Sequence, residues 1–77
     1  MERLEQSWLA EVRQSRIIIL PGEASYLAEP GIRVTTVVEG LAKGLSEQDL
    51  MARYEGLTQA DIRASGLFGY LRIIGKL

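Results

Sequence analysis

The stretch GLSEQDLMARYEGLTQAD, residues 44–61, contains two helix starts and the turn between them. Each start has a hydroxyl residue followed by an acid three positions later, first Ser46 with Asp49 and then Thr58 with Asp61. A hydroxyl at the N-cap accepts a hydrogen bond from a free backbone N–H group, and the helix dipole favours an acid in the first turn. Gly56 lies between the two starts, where a helix C-terminus commonly turns left-handed. The stretch therefore predicts a helix-turn-helix unit.

Three helices are predicted from about residue 35 onward. The first runs from residue 35 or 36 to 43, because valines and leucines recur there at helical spacing and Gly44 follows. The second covers residues 47–55 and the third residues 59–74. Together they give the three-helix core typical of helix-turn-helix domains.

The predicted helix 59–74 has apolar residues on two opposite sides, which is typical of a helix packed on both sides. Leu67 and Leu71 belong to one side, and Gly66, Gly69 and Ile73 to the other. Each glycine costs about 1 kcal/mol of helix stability relative to alanine. We therefore expect a close neighbour at the glycines, either the first helix or sheet of the same chain or a symmetric second copy.

The N-terminal half predicts one more helix and three short strands. Leu4, Trp8 and Val12 recur every four residues and predict a helix over residues 2–14. Residues 16–20 contain four consecutive aliphatic residues, which favours a strand covered on both faces. Two Pro-Gly pairs then mark turns, with short strands predicted at 26–27 and 32–34. The fold class is mainly α with a small β-segment.

An exposed strand edge of this apolar character is a risk for aggregation unless it is paired. We therefore expect a homodimer formed through strand 16–20 and the last helix. The candidate dimer-interface residues are Ile17, Ile18, Ile19, Gly66, Gly69 and Ile73.

The size and composition indicate one domain over residues 1–77, with an N-terminal helix (1–15), strands and turns (16–34) and a helical core (35–77). The chain has no cysteine and no histidine. It therefore lacks disulfides, thiolate metal sites and the commonest general base. No phosphate-binding glycine loop or nucleophile–base pair is present. We expect no catalytic residues, cofactor, metal or small-molecule substrate, and hence no enzyme.

The first fifteen residues carry charges throughout, so we do not expect them to act as a signal peptide, and the longest aliphatic run is too short to span a membrane. We expect a cytoplasmic protein without membrane association.

The net charge of −1 and the isoelectric point of about 5.3 argue against a strongly basic nucleic-acid binder. A helix-turn-helix nevertheless places the start of its second helix in the major groove of double-stranded DNA. The candidate DNA-binding residues are Thr58, Gln59 and Arg63 near bases, and Lys43, Arg53 and Arg72 near phosphates. The alternative is that Thr58 only caps the helix, Gln59 is solvated and Arg63 pairs locally.

Four acids at helix starts and turns are interpreted as surface charge rather than as catalytic carboxylates or Mg²⁺ ligands. They are Glu47, Asp49, Glu55 and Asp61. Among them, Asp61 lies between the candidate DNA-binding residues and would repel phosphate.

The segment PGIRVTTVVEGLAKGLSEQDL (30–50), followed by Tyr54, Leu57-Thr58 and Asp61-Ile62, resembles the bacterial domain-of-unknown-function 433 family over residues 16–73. Members of that family are often interpreted as antitoxins related to the VapB group. The resemblance implies a short β-segment followed by a three-helix, homeodomain-like helix-turn-helix, commonly dimeric. It also implies binding of a PIN-like ribonuclease toxin and repression of its operon. In residues 22–34, the lysine and both arginines usual in the family are lost, and Arg33 stands in place of a proline.

The leading hypothesis is a non-enzymatic, dimeric, antitoxin-like protein that binds a partner protein, with operator DNA as a further ligand. The alternative is a protein-interaction or scaffold domain of helix-turn-helix shape that does not bind DNA. A small enzyme is a third hypothesis, which an enclosed polar pocket with converging acids would favour.

Overall fold

The computed structural model describes residues 2–77, which form four helices and a three-stranded antiparallel sheet. The elements are α1 (Glu2–Gln14), β1 (Ile17–Ile18), β2 (Tyr26–Leu27), β3 (Ile32–Arg33), α2 (Val34–Ala42), α3 (Glu47–Arg53) and α4 (Gln59–Ile73). The prediction of a mainly α fold with a small β-segment is confirmed. None of the helices within residues 2–77 is both long and apolar enough to cross a bilayer.

Both predicted helix starts carry a complete capping box. Ser46 Oγ accepts from the Asp49 N–H at 3.1 Å, and the Asp49 carboxylate accepts from the Ser46 N–H at 3.0 Å. Thr58 and Asp61 exchange the same two bonds at 3.2 and 2.9 Å. Gly56 has a φ of +88°, so the turn between α3 and α4 uses the conformational freedom of glycine. Because these hydrogen bonds join residues three positions apart, the sequence alone predicts where α3 and α4 begin.

The start of α2 is set by the sheet rather than by a side-chain cap. Its N-cap residue is Arg33, the last residue of β3, and no side chain caps the helix there. Instead, the Val34 N–H donates to the Ser25 carbonyl oxygen at 3.1 Å. Helix α2 therefore begins at Val34, one or two residues before the predicted position.

The sheet has the order β1-β2-β3, which places β2 in the centre. In its register, Ile17 is opposite Leu27 and Ile18 is opposite Tyr26. Ile17 and Leu27 are buried against the helices, whereas Ile18 and Tyr26 are exposed on the outer face. The sheet thus has one covered face and one open face.

The prediction of a strand over residues 16–20 covered on both faces is wrong within one chain. Strand β1 contains only Ile17 and Ile18, and Ile18, Ile19 and Leu20 are exposed. Beyond Ile18, a side chain replaces the backbone ladder: Ser25 Oγ accepts from the Leu20 N–H at 2.9 Å and donates to the Leu20 carbonyl at 3.1 Å. Within residues 2–77, no helix covers the outer face, so Ile17 is the buried residue of the strand and Ile18 is exposed.

Helix α4 packs against both α1 and α2, so the chain itself supplies the two neighbours that the two-sided pattern predicted. On the α1 side, Trp8 and Tyr70 form an edge-to-face pair with ring centroids 5.7 Å apart. On the α2 side, a Cβ at Gly69 would lie 3.5 Å from Val38. A Cβ at Gly66 would meet no other atom within 4 Å. Gly66 is therefore not required by close packing within the chain.

The core lies where α4, α1, α2 and the inner face of the sheet meet. Its most deeply buried apolar side chains come from five of the seven elements. They are Val12, Leu27, Val34, Val37, Leu50 and Leu71. Helix α3 approaches α2 closely, because a Cβ added at Gly40 would lie 2.7 Å from Leu50.

Candidate functional site

The start of α4 presents the residues that the sequence suggested for base contacts. Thr58 is the N-cap, and Gln59 and Arg63 are exposed on the first turns of the helix. The Gln59 side-chain amide donates to Glu47 of α3 at 3.3 Å, and the Arg63 Nε donates to Glu11 of α1 at 2.8 Å. Both contacts are solvent-exposed, and such pairs contribute little to stability. These contacts therefore orient the two side chains but are weak enough to be exchanged for contacts with another molecule.

The interpretation of Asp61 as a surface charge is wrong, because its side chain is buried. The residue is only 3% exposed and forms an ion pair with Arg16, which precedes β1. The Arg16 Nε donates to Asp61 Oδ1 at 3.0 Å, and its Nη2 donates to Asp61 Oδ2 and to the Gly56 carbonyl, the latter at 3.1 Å. Asp61 is thus neutralised by a cation and does not confront an approaching phosphate alone.

Two opposing effects act on the pKa of Asp61. Burial raises the pKa, whereas the hydrogen bonds from Arg16 and Thr58 and the charge of Arg16 lower it. The hydrogen bonds and the charge dominate, so the pKa lies below its ordinary value. The carboxylate therefore stays ionised at neutral pH, and its role is to join the segment before the sheet to the start of α4.

The other three acids of that group lie as predicted. Glu47, Asp49 and Glu55 are not buried, unlike Asp61. The backbone and hydroxyl of Ser46 hydrogen-bond to Asp49 and lower its pKa. Within residues 2–77, no group of three or more aspartate and glutamate side chains converges in the manner of metal ligands.

Of the three candidate phosphate contacts, Arg72 lies at the opposite end of α4 from Gln59. Lys43 follows α2 and Arg53 ends α3, and both are exposed. Arg72 lies thirteen residues after Gln59 in the same helix, a rise of about 20 Å. Its guanidinium donates to the Gly22 and Leu20 carbonyls and stacks 4.7 Å from the centre of the Phe68 ring. Arg72 is therefore a link between α4 and the turn after β1.

The candidate dimer residues divide between two surfaces. Ile17 is buried in the core, whereas Ile18 and Ile19 join Leu20 and Tyr26 in an exposed apolar area, here called the sheet surface. Gly66 is exposed, and Gly69 and Ile73 border a groove between α2 and α4. Ile73 is 85% exposed, although it is a large aliphatic residue.

Sequence reasoning missed two features of the site. One is the Arg16–Asp61 pair, whose members are 45 residues apart and carry no local signal of their pairing. The other is the groove between α2 and α4, whose lining residues come from three separate parts of the chain. The spacing of Thr58 and Asp61 did indicate a cap, but a cap alone does not reveal burial.

The comparisons with known proteins identify one family. The model of the family described as "Protein of unknown function (DUF433)" matches residues 27–68, from β2 into α4. Neither a curated protein nor a solved structure matches the chain. The match leaves α1 and β1 outside the family region and covers the two capping boxes, the turn between them and most of α4. Since the match extends over more than half of the 77 residues, the chain belongs to the DUF433 family.

Proposed function

We propose that the protein is a non-enzymatic, antitoxin-like protein with a homeodomain-like helix-turn-helix, which forms a homodimer and binds a partner protein. The observation that carries the proposal is the amount of exposed apolar surface. Within residues 2–77, eight large apolar side chains are exposed, in a chain of 77 residues. Four of them, Ile18, Ile19, Leu20 and Tyr26, belong to β1, the residues that follow it and the paired strand β2. A contiguous apolar surface is typical of sites that bind other macromolecules. Members of the DUF433 family are often interpreted as VapB-related antitoxins, which makes a PIN-like ribonuclease toxin the first partner to test.

The sheet surface is the proposed dimer interface. Strand β1 lies at an edge of the sheet, and the antiparallel register directs the backbone groups of Ile19 away from β2. Residues 17–20 carry no charge, so two copies can meet antiparallel without placing like charges opposite one another. Such a two-fold pairing is isologous, with the same edge used by both chains. It would bring the exposed Ile18 and Leu20 side chains of the two copies next to each other, on the same sheet face as Tyr26.

Sedimentation equilibrium of Ile18→Lys tests this interface. We expect the wild-type chain to be a dimer, and the dimer of the variant to be weaker by at least about tenfold, because a lysine would be buried without a partner. Ile18 is already 40% exposed in one chain, so the variant should stay folded by circular dichroism. Leu4→Lys is the matched control, since Leu4 is exposed on α1 away from the sheet. A monomeric wild-type chain at high concentration would refute the dimer.

Co-expression with the product of the adjacent gene tests the antitoxin assignment. We expect the two chains to elute together from a size-exclusion column, and the ribonuclease activity of the partner to be inhibited. If the chain forms no complex and leaves the nuclease active, the antitoxin assignment fails, whatever the oligomeric state.

Binding of operator DNA is the second candidate function, and the exposed positions of Gln59 and Arg63 at the start of α4 favour it. Glutamine can pair with adenine and arginine with guanine in the major groove. The nearby Glu11 and Glu47 oppose phosphate and place DNA second.

A mobility-shift titration on the DNA upstream of the gene, at several salt concentrations, tests this second function. Arg63→Ala should weaken binding by about 1–3 kcal/mol, whereas Arg13→Ala, on the exposed side of α1, should change it little. No binding even at low salt would favour the alternative, a scaffold domain that does not bind DNA.

A further inference from the structure

An apolar groove separates α2 from the C-terminal half of α4, and the turn between β1 and β2 closes one end of it. The groove has a volume of about 310 Å³. Val34, Val38, Phe68 and Gly69 line it, and the exposed Ile73 stands at its rim. Because Gly69 has no side chain, the groove stays open beside Val38.

The charged side chains around the groove differ in whether they already have a partner within the chain. Arg72 lies in the lining, but its guanidinium is engaged by the Gly22 and Leu20 carbonyls and by the Phe68 ring. Glu23 and Glu39 also line the groove, and both are exposed. Among the ion pairs formed within residues 2–77, neither glutamate takes part. The groove therefore offers an apolar floor with two unpaired carboxylates beside it.

We propose that this groove binds a segment of a partner protein that inserts an aliphatic or aromatic side chain and carries flanking lysine or arginine residues. The inserted side chain packs on Val38 and Phe68, and the flanking cations approach Glu23 and Glu39. The inference rests on the proposed function as a partner-binding protein, with the sheet surface assigned to the dimer. It adds the place and the chemistry of the contact, and the complementary charge sets the partner's orientation.

A random peptide library displayed on phage, panned on the intact wild-type chain, tests the inference. We expect the enriched peptides to share an apolar residue flanked by lysine or arginine. Their affinity is then measured by fluorescence anisotropy for four variants. Gly69→Leu, whose Cβ would start 3.5 Å from Val38, should bind at least tenfold more weakly, because leucine fills the groove. Ala52→Leu is the control for an added leucine, since Ala52 is exposed on α3 and does not line the groove, and it should bind like the wild type.

The charge component is tested separately, so that the inference stays falsifiable if Gly69→Leu does not fold. The double variant Glu23→Gln/Glu39→Gln should weaken binding several-fold and remove most of its salt dependence. Glu55→Gln, an exposed glutamate in the turn before α4, should leave both unchanged.

Several outcomes would overturn the inference. Enrichment of acidic peptides, or of none, would do so, as would equal binding to Gly69→Leu and the wild type. Loss of peptide binding in Ile18→Lys instead would refute the groove while leaving partner binding intact. A dimer that Gly69→Leu dissociates and Ile18→Lys does not would mean that a second copy occupies the groove. If, in addition, no complex forms with the adjacent gene product, the proposed function fails as well.

Discussion

The Arg16–Asp61 pair joins the start of α4 to the segment before the sheet. The two regions differ in whether their side chains find partners within the chain. At the start of α4, the polar groups find partners within the chain: Thr58 caps, Asp61 pairs with Arg16, and Arg63 pairs with Glu11. At the sheet, the inner face is buried while Ile18 and Tyr26 remain exposed. The first region satisfies its polar groups within the chain, whereas the second leaves large apolar side chains in solvent. Helix capping thus supports the fold, and the uncovered apolar side chains form the surface that we propose for binding.

The two faces of β2 give the largest predicted difference. Leu27 is 0% exposed and Tyr26 is 36% exposed, although they are adjacent in the same strand. Leu27→Ala should lower the free energy of unfolding by about 2–5 kcal/mol, because it leaves a cavity in the core. Tyr26→Ala should cost well under half as much in a monomeric sample. Urea denaturation of both variants measures the difference, and equal losses would mean that the outer face is already covered.

The two capping acids give the next largest difference. Asp49 and Asp61 occupy the same position in their helices, but only Asp61 is buried and paired with Arg16. Asp61→Asn should lower the free energy of unfolding by about 1–3 kcal/mol, because it removes the charge that receives the Arg16 hydrogen bonds. Asp49→Asn should cost clearly less. Thermal and urea denaturation at neutral pH measure both, and equal losses would reduce the role of Asp61 to that of a cap.

Acid sensitivity should follow the same pair. Because the pKa of Asp61 is lower in the folded chain than in the unfolded chain, protonation favours unfolding. The stabilisation is present above the ordinary carboxyl pKa of about 3.9 and is lost as the pH falls through the folded pKa. Urea denaturation from about pH 7 to pH 2.5 should therefore show a steeper acid loss for the wild type than for Asp61→Asn. The variant keeps the smaller contribution of Asp49, whose pKa is also lowered. Identical pH profiles would contradict the assignment.

The smallest predicted effect concerns the buried hydroxyl of Ser65 in α4. Ser65 is fully buried, and its hydroxyl has no hydrogen-bond partner among residues 2–77. Ser65→Ala should raise the free energy of unfolding by up to about 1 kcal/mol, because it removes an unsatisfied polar group and improves helix propensity. Ser7→Ala, at an exposed position of α1, controls for propensity alone. A loss of stability in Ser65→Ala would show that the hydroxyl has a bonding role.

Much of the fold was predictable, because its boundaries depend on neighbours in the chain. The cap residues Ser46 and Thr58 act within three residues of their own position, and Gly44 and Gly56 act at their own φ. The start of α2 was predicted less well. Its first N–H group, that of Val34, donates to the carbonyl oxygen of Ser25, which lies in the loop just before β2 and is not a neighbour in the sequence.

The candidate site was predictable only in part. The exposure of Gln59 and Arg63 follows from their polar side chains and their place between the two apolar sides of α4, but the contacts of Arg72 depend on the turn after β1. The two-sided pattern of α4 indicated two neighbours without identifying them. Since α1 and α2 fill those positions, the pattern by itself is no evidence for a second copy.

The sequence by itself determined the family, and it determined the caps of α3 and α4 and the glycine turn between them, because capping bonds and glycine conformations act over a few residues. Only the tertiary structure decided that Asp61 is buried against Arg16, that Ile18 is exposed while Ile17 is not, and that a groove opens beside Gly69. Those features arise where segments far apart in the chain meet, and the burial and pairing of a side chain depend on what the other segment places opposite it.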